Sequence, residues 1–286
     1  AAGNDAYAMV GHGGLGASGN QGDFTTPNNA RIQVESAGGI FLNGGDSLNT
    51  FAQIGHGGRD ADGNLGGRIV LAADQNIAMS AGSGTASYTQ IGLGGYDTTI
   101  GDGEGDKSGK IVVYSRNGDI NITGGTGGTG SYSQIGHGGR RNDGNFDNET
   151  FGIFVYTDGF DGTGSINLNN PAGSGVVSRY AMIGSGDGAG GGNTAEGEGD
   201  RSDRVFTGAP NGGLQLGSNF RLGHGTSNGT INANSITEVL ANDFIITSAA
   251  AGAGETTRTP GEVVGAIGGG GTNTFTTDSF TANGSL

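Results

Sequence analysis

The chain has 286 residues, room for one large or two ordinary domains, and 66 of them are glycine, about three times the usual share but without collagen's every-third spacing. A net charge of −14 argues against nucleic acid or an anionic membrane as partner, and the absence of Cys excludes a disulfide framework and a thiolate metal site. No run approaches the roughly 18 apolar residues of a membrane-inserted span.

The first element is YAMVGHGG at 7–14, and it is also a repeat. It returns as FAQIGHGG (51–58), YTQIGLGG (88–95), YSQIGHGG (132–139), YAMIGSGD (180–187), FRLGHGTS (220–227) and, worn down, AIGGGG (266–271). The slot held by His falls at 12, 56, 93, 137, 185, 224 and 269, in steps of 44, 37, 44, 48, 39 and 45 residues. A period of about 20–50 residues marks a solenoid or a propeller.

Between the phrases runs a second pattern: RIQVESAGGIFLNGG (31–45), RIVLAADQNIAMSAG (68–82), KIVVYSRNGDINITGG (110–125) and GIFVYTDGFDGTGSINLNN (152–170). Alternation of period two over such short spans predicts paired strands of three to five residues, each with one buried face. Only 32% of the residues are hydrophobic, which leans towards disorder, but this periodicity marks an ordered chain with a thin core.

Two short strands, a phrase strand and a variable polar loop make a unit of roughly 43 residues. The absence of Trp and the shortness of the strands argue against propeller blades. The expected fold is all-β: a single parallel β-helix (β-solenoid) domain over 1–286, with about seven repeats. A β-helix turn ordinarily takes about 20 residues, so each unit is expected to make two turns, giving a rod of about 65 Å.

Within the phrase, Ala52, Ile54 and His56 should project to one face, and Phe51, Gln53 and Gly55 to the other. Ile, Val or Leu at 10, 54, 91, 135, 183, 222 and 267 marks the inner face. The His slot accepts His, Leu, Ser or Gly, so it reads as a polar corner plug, a neutral His bonded to a backbone carbonyl. With two rungs per unit, successive slots would lie about 10 Å apart, too far to share a metal. His56→Leu and His137→Leu, copying Leu93, should then cost less than about 1.5 kcal/mol. The glycines supply positive φ and close approach of layers. Tyr7, Phe51, Tyr88, Tyr132 and Tyr180 form either corner packing or an outward binding row, and Gln53, Gln90 and Gln134 cap backbone or form ladders.

The acidic loops carry the candidate metal ligands. Asp60, Asp62 and Asn64, then Asp102, Glu104 and Asp106, then Glu196, Glu198 and Asp200, alternate as oxygen donors do in calcium loops, with Gly between. Neither the bidentate Glu of the EF-hand nor the nonapeptide of calcium solenoids is present, so solvated turns stand as the alternative. No cofactor is required; calcium is the candidate ion.

Gly38-Gly39-Ile40-Phe41-Leu42-Asn43-Gly44-Gly45 and Gly118-Asp119-Ile120-Asn121-Ile122-Thr123-Gly124-Gly125 resemble filamentous-haemagglutinin-type exoproteins, over nearly the whole chain. The resemblance implies a right-handed parallel β-helix, exported from a Gram-negative-type cell to an extracellular or surface location, in adhesion or surface structure. Those proteins' amino-terminal Asn-Pro-Asn secretion motifs are not seen, which fits a shaft segment. The opening Ala1-Ala2-Gly3-Asn4 fits a mature end or a piece of something longer. With neither a capping helix nor a polar terminal repeat expected, the leading function is a shaft subunit that stacks on copies of itself, head to tail. The alternatives are an adhesin passenger for surface glycans and a β-helix polysaccharide-active enzyme. The carboxylates sit in Gly-rich loops and Trp is missing, so the chain is not expected to be an enzyme and no catalytic residue is assigned.

Overall fold

The computed structural model describes residues 3–23, 26, 29–97, 104–142, 144–158, 164–171, 179–186, 201–217, 220–223, 236–247 and 272–283. Among them the chain is all-β, with no helix, and every strand pairing is parallel. The phrase strands form a sheet of their own. Tyr7–Val10, Phe51–Ile54, Tyr88–Ile91, Tyr132–Ile135, Tyr180–Ile183 and Phe220–Leu222 pair consecutively, so that Val10, Ile54, Ile91, Ile135, Ile183 and Leu222 fall in one column. The register follows the first five steps of the phrase spacing read from the sequence; the sixth, to 269, lies outside the described residues.

The second sheet holds three rows. The middle row starts with Arg31–Ser36, Arg68–Ala73 and Ile111–Ser115 and continues through 153–157, 205–208, 237–240 and 273–276. The next row starts with Ile40–Asn43, Ile77–Ser80, Ile120–Thr123 and Ile166–Asn169 and runs through 214–216, 244–246 and 280–282. A third row lies inside the segments read as loops: Gln21–Gly22, Gly63–Gly66 and Glu104–Ser108, then 146–148 and 201–203. Phe146–Thr157 runs through the third and middle rows and Arg201–Leu216 through all three, which joins them into one sheet.

Each of the first five units therefore contributes one strand to each row and makes one layer, not two. The rings of Tyr7 and Phe51, 44 residues apart, lie 4.8 Å from each other, which is the spacing of directly paired strands. The expectation of two turns per unit failed because the glycine-rich segments carry strands too, so a circuit uses the whole unit.

The core is built column by column from alternate residues. Ile69, Ile111, Ile153 and Val205 form one column; Ile77, Ile120, Ile166 and Leu214 form another, and all are fully buried. The shielded stack makes the thin composition sufficient, since most apolar side chains are covered by their equivalents above and below.

Candidate functional site

The phrase column is where the repeated chemistry sits. Ile54, Ile91 and Ile135 face the main core, as the alternation predicts. The opposite face is buried as well, because the chain after each phrase folds back over it. Gly95 and Gly139 lie so close to the hydroxyls of Tyr88 and Tyr132 that a Cβ at either would press on the phenol. Phe51, Tyr88, Tyr132 and Tyr180 form a stack of near-parallel rings 4.8 to 5.0 Å apart, inside a second small core with Tyr96 and Met182. The outward binding row is thus corrected to packing.

Beside the rings runs a column of amides. Gln53 Nε2 donates to the carbonyls of His56, Gly92 and Gly94, at 3.1, 3.3 and 2.9 Å. Gln90 serves Leu93, Gly136 and Gly138, and Gln134 serves His137, Gly184 and Gly186. Each amide therefore ties its own turn to the next layer's turn. Several of these carbonyls also accept a backbone N–H between layers, as that of His56 does from Gly94 and that of Gly94 from Gly58, so the amide adds a second bond at each buried turn.

The His slot also joins layers. His137 Nδ1 accepts the Leu93 N–H at 3.3 Å, and Nε2 lies 3.0 Å from the carbonyl of Gly109, which makes the ring the neutral Nε2–H tautomer. His56 Nδ1 accepts the His12 N–H at 3.1 Å. The expected plug bonded to a carbonyl is found at His137, but the spacing is corrected: the His12 and His56 rings stack at 5.1 Å, one layer apart. Burial, with the neighbouring His12 adding a smaller effect, lowers the His56 pKa from 6.5 to about 4. The glycine between Ile and the His slot has a steric cause: a Cβ on Gly136 would collide with the carbonyl oxygen of Gly184 in the next layer.

Of the nine candidate calcium ligands, the side chains of Asp60, Asp62, Asn64 and Asp106 are described; Asp102, Glu196 and Asp200, with Glu198, lie outside the described residues, as does the Glu104 side chain. Asp60 pairs with Arg59 at 3.3 Å. Asn64 and Asp106 belong to a column that the sequence reading missed. Asn20 Oδ1 accepts the Asn64 N–H, Asn64 Oδ1 the Asp106 N–H and Asp106 Oδ1 the Asn145 N–H, at 2.9 to 3.0 Å. A second such column joins Asn76 to Asp119 and Asp119 to Ser165. Among the described residues no group of three His, Cys, Asp or Glu is placed to hold a metal.

The other feature with functional content is the first layer. Its strands Tyr7–Val10, Gln21–Gly22, Arg31–Ser36 and Ile40–Asn43 pair on one side only among the described residues. Val10 is 51% exposed and Tyr7 46%, against 6% for Ile54 and 2% for Phe51 one layer further on. No family model, curated protein or solved structure matches the chain.

Proposed function

We propose that the chain is a shaft segment of an extracellular bacterial filament of filamentous-haemagglutinin type, a right-handed parallel β-helix of seven repeats that stacks end to end on copies of itself. The layer-to-layer register carries this reading: the backbone groups and the apolar side chains of Tyr7 and Val10 repeat the pattern of the described layers that follow, so a copy added in the same register continues both. A contact between unlike ends of one subunit does not close on itself and yields an open filament. The columns that fill the interior hold layers together, which suits a scaffold; the burial of the aromatic row withdraws the face that a glycan-binding reading would have used. The test is electron microscopy and sedimentation of the purified chain against Val10→Asp, which places a charge on the stacking face. Filaments from the wild type and short species from the variant support the proposal. A wild type that remains a single copy at high concentration defeats it.

A further inference from the structure

The His slot of the phrase links layers in a fixed direction. Three described links run from the backbone N–H at the slot of one layer to the side chain at the slot of the next. His12 N–H donates to His56 Nδ1 at 3.1 Å, Leu93 N–H to His137 Nδ1 at 3.3 Å, and His137 N–H to Ser185 Oγ at 3.4 Å. The donor is backbone, so the side chain beside it is immaterial, as Leu93 shows. His12 holds the slot of the first layer. Its N–H is spent on His56, and among the described residues its ring receives no hydrogen bond. That ring is exposed and lies parallel to the ring of His56, with 8° between the planes. A layer placed before the first in the same register brings its own slot N–H to His12 Nδ1, as His12 brings its N–H to His56.

An imidazole can fill that role in one charge state only. In the neutral ring Nδ1 accepts. In the protonated ring both nitrogens carry hydrogen, so an arriving N–H meets another N–H beside a buried charge. His56 shows what a covering layer does to the ring: burial first, then the neighbouring His12, lower its pKa to about 4. The walls beside His12 are Ile32 of the middle row, against Gly11, and Gln21 of the third row, against Gly13. The ionisable groups on the surrounding elements are few. His56 stacks on the ring, Tyr7 starts the phrase strand, and Arg31 and Glu35 are exposed on the middle-row strand. Asp23 follows the third-row strand, and its carboxylate accepts from the Thr26 N–H and hydroxyl.

We propose that His12 is a proton-operated latch on the stacking face: a neutral ring accepts the N–H of the incoming copy, and a protonated ring prevents that junction. The latch rests on the end-to-end stacking reading and adds a regulator to it. One proton must leave the ring per junction, so below the ordinary imidazole value of about 6.5 each pH unit should weaken stacking about tenfold. Acid also relieves the repulsion between copies that each carry −14, which favours assembly. The latch therefore predicts the sign opposite to that of net charge.

The test measures the critical concentration for assembly, by sedimentation and electron microscopy, at about pH 8 and about pH 5.5. Wild type, His12→Leu and His56→Leu are compared. Leucine copies the Leu93 slot, where paired layers stack without a ring acceptor. The wild type should need about ten times more protein at the lower pH, and His12→Leu the same amount at both. His56→Leu, which keeps the latch, should retain the wild-type pH dependence. Should His12→Leu fail to assemble, His12→Gln takes its place, since its side-chain oxygen accepts an N–H at either pH. Equal or stronger wild-type assembly in acid would overturn the latch and leave stacking intact, as would a His12 variant that keeps the pH dependence. Circular dichroism that shows unfolding at the lower pH would assign the loss to the fold and overturn it too. A wild type that forms no filament at either pH removes stacking itself, and the latch with it.

Discussion

At position 137 the imidazole is held by two hydrogen bonds, and volume alone understates what it does. His137→Leu copies Leu93 in shape, but it leaves the buried Leu93 N–H and Gly109 carbonyl without this partner. The expected cost is therefore about 2 kcal/mol, above the sequence-based figure, with the fold retained; urea titration of the two proteins measures it. His56 adds a pH dependence. Its folded pKa, about 4, lies below the ordinary 6.5, so the unfolded chain takes up the proton first. The contribution is complete above pH 6.5 and is lost as the pH falls towards 4. Urea midpoints should drop between about pH 7 and about pH 4.5, and drop less in His56→Leu. A drop of the same size in both proteins would remove His56 as the cause.

At the scale of the element, the rows differ in how far the sequence announces them. The Ile-x-Val and Ile-x-Leu strands were legible, because alternation follows directly from one-sided burial. The phrase register was legible from the repeat steps. The row at Gly63–Gly66 and Glu104–Ser108 was not, since glycine and charge hide its one inward column, Leu65, Lys107 and Phe146. The Asx columns were hidden for a related reason: Asn and Asp are common in turns, and only the layer register shows that Asn20, Asn64, Asp106 and Asn145 are neighbours. Their recurrence 39 to 44 residues apart was the available signal. Asn64→Ala should cost about 1 kcal/mol, as a lost backbone cap does, and the same amount in calcium and in chelator. A cost that appears only with calcium present would instead make Asn64 an ion ligand.

For the whole molecule, one layer per unit changes the length. Seven strands at about 4.8 Å give a stack of about 34 Å, half the length expected from two turns per unit. The core columns, amide column and Asx columns all run along this axis, so each added layer repeats the same contacts, and stability should grow with the number of layers. Helical reconstruction of the assembled filaments tests end-to-end stacking most directly. The account predicts layers about 4.8 Å apart and a subunit rise of about 34 Å. A rise near 65 Å, or particles of fixed length with a covered first layer, would contradict it.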